Sequence, residues 1–105
     1  MKQDSFDSFH QFYPYYLSEH SKSGTKIFHF IGTMSVIIYL VMFCAYLDFI
    51  YFLLMPISGY GFAWLSHFFI EKNKPATFRY PLYSLRGDFL MFWHIITGKV
   101  KIFNN

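Results

Sequence analysis

The chain has 105 residues, room for one domain, and is 54% hydrophobic and 25% aromatic against only 14% charged. A soluble domain of this size with that balance would carry a greasy surface, so composition argues for a membrane class. The net charge of +3 sits beside the apolar run, where it suits anionic lipid head groups; no motif accompanies it that would make a nucleic-acid partner.

In chain order, residues 1–4 are expected to fray, and an amphipathic helix is expected over 5–20, capped by Asp4 or Ser5. Phe6, Phe9, Tyr13, Tyr16, Leu17 and His20 share one face at three- and four-residue steps. Pro14 should kink or interrupt this helix. Its aromatic face suits a segment lying in a membrane interface. In the linker that follows, Gly24 is placed to take a positive φ and Thr25 to cap the next helix.

From Ile27 to Ile70 the chain has no Lys or Arg, and Asp48 is its only carboxylate. A single span needs about 20 apolar residues. This run holds two, 26–46 and 49–71, broken at Leu47-Asp48-Phe49. Gly32, Ser35, Gly59 and Gly61 are small enough for close helix contact, and Pro56 should kink the second span. Cys44 reads as a small apolar packing residue of the first. Tyr60, Trp64, His67 and Glu71 form one polar-aromatic stripe at steps of four, three and four. Asn73 is placed as the helix C-cap before Pro75. A third helix is expected over 81–97, from Pro81 to the stop at Gly98. Its apolar part is too short to span, so it lies in the interface or packs on the other two.

The fold class is therefore an all-α membrane protein: a transmembrane helical hairpin flanked by N-terminal and C-terminal interfacial amphipathic helices, all in one membrane domain. No signal peptide is visible, so the first span is expected to target the protein and remain in it. Lys2, Lys22 and Lys26 precede the hairpin, and Lys72, Lys74, Arg79, Arg86, Lys99 and Lys101 follow it, with none at the turn. The positive-inside rule then puts both termini in the cytoplasm, and a bacterial inner membrane is expected rather than endoplasmic reticulum.

A hairpin brings the start of the first span beside the end of the second. His29 and His67 fall at similar depth, His20 folds over the same end, and Glu71 follows one turn after His67. Such groups are costly near hydrocarbon. Imidazoles with a carboxylate suit Fe(II), Zn(II) or Mn(II), with a vacant position for O2 or substrate. The bland alternative is a pair of histidines bonded across the hairpin, with Glu71 paired to Lys72 or Lys74. His94 on the third helix is a possible additional ligand if that helix docks, and His10 is a weaker one. Tyr60 and Trp64 are placed to line a site, though aromatics at this depth also serve as anchors. A bis-histidine haem has no attachment motif to support it.

Three blocks carry a family resemblance: residues 12–20 (FYPYYLSEH), 27–33 (IFHFIGT) and 59–78 (GYGFAWLSHFFIEKNKPATF). Over about residues 9–90 the chain resembles the small membrane-protein family, long called a domain of unknown function, that includes the fungal 2-hydroxy-palmitate dioxygenase. The resemblance implies Fe(II)-dependent, O2-using α-oxidation of a 2-hydroxy fatty acid to a fatty acid one carbon shorter. It implies His20, His29 and His67 as iron ligands and Glu71 as a catalytic ligand or orienting group. Lys72 or Lys74 would steady the substrate carboxylate. Either the third helix closes the site or two chains do, as a homodimer. The competing class is a non-catalytic membrane scaffold or lipid-binding subunit; an accessory to a transporter is a third.

Overall fold

The computed structural model describes residues 6–103 and contains no strand among them. The end of the chain expected to fray and the caps expected at Asp4 or Ser5 lie outside the described residues. Helix α1 is Phe9–Ser18, capped by Ser8, whose Oγ accepts from the Gln11 amide at 3.2 Å. Pro14 sits inside it, and the helix continues past it to Ser18 rather than breaking. α2 is Ser23–Tyr46 and α3 is Phe49–Leu65, which passes into a π-helical turn, Ser66–Glu71. A short 3-10 turn, Ala76–Phe78, leads to α4, Pro81–Ile96. Gly98 ends this last segment at φ +83°, a region where only glycine is unstrained.

α2 and the α3–π unit are both long and apolar enough to cross a membrane. They run antiparallel: Ser35 Oγ meets Ser58 Oγ at 3.0 Å, and Phe43 packs on Phe52 nearer the turn. Glycine makes the approach possible. A Cβ on Gly32 would lie 3.1 Å from Phe62 Cβ, and one on Gly59 only 2.8 Å from Val36 Cγ2. Gly61 has no such role, because nothing lies within 4 Å of the place its Cβ would take. Cys44 is exposed rather than packed.

At the turn, Leu47 takes a left-handed φ of 54°, and Asp48 caps α3 by accepting from the Ile50 amide. At the other end the capping differs from the sequence expectation. α2 starts two residues before Thr25, and Gly24 is helical. The Glu71 carboxylate serves as the cap, accepting from the Lys22 amide at 2.9 Å, Thr25 Oγ1 at 2.7 Å and Ser21 Oγ at 2.8 Å. An anion at a helix N-terminus is favoured by both the orphan amides and the dipole. Gly24 is small because its Cβ would crowd Ile70 at 3.2 Å.

The buried cluster of α1 is Phe9, Phe12 and Tyr16, closed by Met91 and Ala76. Phe12, absent from the aromatic face read above, is fully buried, and its ring packs on Tyr80 and Tyr83 at 5.4 and 5.3 Å. The aromatic side of α1 thus faces protein. α4 reaches across α1 and α2 together: Phe92 stacks on Phe30 at 4.6 Å. A Cβ at Gly87 would lie 2.9 Å from the Tyr16 ring. α1, α4 and the adjoining ends of α2 and α3 therefore build one packed end, and the site lies within it.

Candidate metal centre

Three imidazoles meet at this end, each from a different segment. His20 follows α1, His29 lies in the second turn of α2, and His67 is the second residue of the π turn. Their Nε2 atoms form a triangle: 3.2 Å from His20 to His29, 3.2 Å from His29 to His67 and 3.0 Å from His67 to His20. All three are buried, at 1%, 5% and 2% exposure.

The opposite ring nitrogens explain what the triangle is for. His20 Nδ1 donates to the Tyr16 carbonyl at 2.6 Å. His67 Nδ1 donates to Asn73 Oδ1 at 2.7 Å. The orientation of that amide is set because Asn73 Nδ2 donates to the Glu19 carbonyl and to Glu19 Oε1. His29 Nδ1 faces Asp88 Oδ1 at 3.4 Å. With a proton on each Nδ1, three bare Nε2 lone pairs point at one another in a buried space. Neutral rings so arranged repel, and a shared cation converts the repulsion into ligation. Burial, with His29 and His67 alongside, holds the His20 imidazole well below the ordinary histidine range, which keeps it neutral and available as a ligand. Imidazole ligands at about 2.0–2.1 Å from one metal lie about 2.9 Å apart at right angles and about 3.4 Å apart in a tetrahedron. The observed sides fall inside that window, so the three histidines form a set that can hold a metal ion.

The supports are themselves anchored. Asp88, on α4, also accepts from the Tyr16 hydroxyl, and the Tyr16 ring stacks on His20 at 4.1 Å. Burial and the Asp88 carboxylate push the Tyr16 phenol well above its usual range, so it stays a donor. A carboxylate, a carbonyl and an amide behind three histidines is the arrangement that fixes tautomer and ring orientation around metals.

A small cavity of about 10 Å³ lies at the triangle, lined by the three histidines with Tyr16, Ser84 and Asp88 among others. A second, of about 340 Å³, shares His29, Ala63 and Asp88 with it and extends between α2, α3 and α4.

Of the residues singled out from sequence, His20, His29 and His67 come together. Glu71 does not join them; its carboxylate is taken by Ser21, Lys22 and Thr25. The π turn explains the separation, since bonding from i to i+5 re-phases the stripe after Leu65. Tyr60 lines the larger cavity, whereas Trp64 packs between Tyr60 and Phe78. Lys72 and Lys74 are exposed and line neither cavity. Lys72, at φ 64°, takes the left-handed C-cap position expected of Asn73, whose side chain is committed to His67. His94 is 2.8 Å from the Tyr13 hydroxyl, away from the triangle, and His10 is exposed.

Asp88 and Asn73 were not identified from sequence. For Asp88 a signal existed, as it is the only carboxylate in 81–96, an otherwise largely apolar helix. For Asn73 the sequence offered only a helix stop.

Three buried histidines beside an apolar cavity describe a class: an all-helical protein with two helices long and apolar enough to cross a membrane and three histidines that could hold a metal ion. Comparison with protein families identifies it further, and the chain belongs to the family described as 2-hydroxy-palmitic acid dioxygenase Mpo1-like, which matches residues 6–100. The resemblance read from the three sequence blocks is borne out. Neither a curated protein nor a solved structure matches the chain.

Proposed function

We propose that the protein is an Fe(II)-dependent membrane dioxygenase that converts a 2-hydroxy fatty acid to the fatty acid one carbon shorter. The observation that carries this reading is the triangle of three buried Nε2 lone pairs, each with its Nδ1 proton committed elsewhere. The family description supports the substrate. Two apolar helices support a membrane setting. We place them as a transmembrane hairpin with both termini cytoplasmic, because the flanks carry all nine Lys and Arg residues.

The chemistry balances without another reductant. The bond between C1 and C2 of the hydroxy acid breaks. C2 is oxidised to the new carboxyl, and C1 leaves as CO2. The substrate loses four electrons, and O2 takes up four, giving the shortened acid, CO2 and water. Iron, when bound, supplies the redox centre where O2 and substrate meet. The chain supplies the rest. His20, His29 and His67 would hold the metal through their Nε2 atoms. The Tyr16 carbonyl, Asp88 and Asn73 keep the ligand protons on Nδ1. α4 brings Asp88 and Ser84 to the site, which supports closure by the third helix of the same chain.

The test is metal content of detergent-purified protein prepared without oxygen, followed by O2 and 2-hydroxyhexadecanoic acid. About one iron per chain is expected, with pentadecanoic acid and CO2 formed in equal amounts. Absence of retained iron after Fe(II) reconstitution, with no shortened acid, sinks the reading and leaves a non-catalytic scaffold.

A further inference from the structure

The larger cavity has a shape and polarity that the metal site alone does not require. It is walled by apolar side chains of three helices, with His29 and Asp88 at one end and Phe52, Met55 and Val36 at the other. Its volume, about 340 Å³, lies within the range of small-molecule pockets, which are mostly apolar with a few placed polar groups. Phe52, Leu85 and Phe89, which line it, are also exposed, so the cavity opens sideways between α3 and α4 and not toward the charged flanks. From Ala63 to Phe52 it follows eleven helical steps, about 16 Å. At about 1.2 Å per bond for an extended chain, that is roughly a dozen methylenes.

Ser84 lines the small cavity together with His29, Ala63 and Asp88, the residues that both cavities share. It is 2% exposed, and its Oγ has no hydrogen-bond partner among the described residues. An unsatisfied buried hydroxyl is costly, and this one lines the small cavity with all three histidines.

We propose that the larger cavity is an acyl-chain site reached laterally from the bilayer, that Ser84 donates to the oxygen-bearing head of the bound acid, and that Val36 and Met55 set the chain length accepted. The assignment rests on the reading of the substrate as a fatty acid with its reacting end at the histidines. It goes further in naming the path, the head-group donor and the residues at the far wall. Lys72 and Lys74 lie outside both cavities, so the head group is held by a buried hydroxyl and the metal site, not by a surface cation.

The experiment uses iron-loaded protein in detergent and 2-hydroxyhexadecanoic acid carrying a diazirine at its methyl end. Photolysis is expected to label Phe52, Met55 or Val36, and an excess of unlabelled 2-hydroxyhexadecanoic acid should suppress the label. Met55→Trp should shift the preferred acid to one several carbons shorter, read by competition for labelling, with iron content unchanged. Ser84→Ala should weaken competition by the hydroxy acid about tenfold, again with iron retained. Label confined to lipid-side positions such as Val41 or Ile57, or a length preference indifferent to Met55→Trp, overturns the proposal. The functional reading fails separately. Protein that forms the shortened acid but labels only on its outer faces keeps the dioxygenase and loses the acyl site. Protein that labels in the cavity but makes no product keeps the acyl site and loses the dioxygenase.

Discussion

At the end of the α2–α3 pair that carries His29 and His67, side chains are buried by other helices; at the Leu47–Asp48 end, they are not. Every buried residue of α2 lies in its first half: Thr25, Lys26, His29, Gly32 and Thr33. The second half presents Ile38, Leu40, Val41 and Tyr46 to the outside, and α3 adds Phe49, Ile50, Leu53 and Ile57. The buried group is mostly polar and the exposed group is apolar, the reverse of a water-soluble protein. That inversion follows when lipid replaces water around one half. On the proposed membrane reading the bilayer would be the packing partner there, while α1 and α4 take that part around the histidines. Apolar burial therefore does not need to be maximised at the packed end. It can be given over to three imidazoles and Asp88, whose polar atoms find partners, and to Ser84, whose hydroxyl has none among the described residues.

The largest expected effect removes a ligand. His67→Ala should abolish metal retention while the helices persist, since the lost imidazole sits between Asn73 and the other two rings. Metal content by elemental analysis beside far-ultraviolet circular dichroism checks it; full retention would show that the triangle is not the site.

Next in size is a charge at the other end. Ile38 is exposed near the middle of α2. Ile38→Arg should cost about 2.5–3.5 kcal/mol in membrane insertion, read as the inserted fraction by protease protection. The inserted molecules should still bind metal normally. Unchanged insertion would show that this face does not meet lipid.

Asp88→Asn is smaller and acts through His29. It keeps the shape but removes the anion facing Nδ1 and accepting from Tyr16. Loss of such a support typically lowers metal affinity 10–100-fold. A competition titration with a chelator measures it, and an affinity within twofold of the parent would remove Asp88 from the site.

What the sequence allowed one to read divides along the same line. The two long apolar helices were legible because hydropathy is a local signal. His29 and His67 were legible because an antiparallel pair fixes their depth without any knowledge of packing, and His20 because it lies just before the start of the same pair. Asp88 was not, since its place depends on α4 crossing α1, and the close approach of Gly87 to Tyr16 that permits this joins positions 71 residues apart in the chain. Glu71 was misplaced for the opposite reason: its spacing from His67 is correct for an α-helix, and the chain there is a π turn. Phe12 was passed over because the step from Phe9 was taken four residues to Tyr13 rather than three to Phe12, although Phe9, Phe12 and Tyr16 are the buried line.

The two left-handed residues give the finest comparison, one at each end. Leu47 has φ 54° at the turn between α2 and α3, and Lys72 has φ 64° after the π turn. The left-handed region costs a non-glycine residue about 1–2 kcal/mol, and glycine returns part of that gain through its freer unfolded chain. Leu47→Gly should therefore stabilise by about 0.5 kcal/mol, with metal affinity unchanged, because Leu47 is exposed and far from any ligand. Lys72→Gly should relieve the same backbone strain. Its next neighbour, however, is Asn73, whose Oδ1 orients His67 and whose amide nitrogen donates to the His67 carbonyl. Greater freedom at 72 loosens that support, so metal affinity should fall about two- to threefold even as the strain is relieved. Thermal unfolding and chelator competition on both variants separate the cases. Equal effects on metal affinity would mean that the turn at Leu47 is coupled to the histidines along the whole length of the helix pair, and that the two ends are not independent.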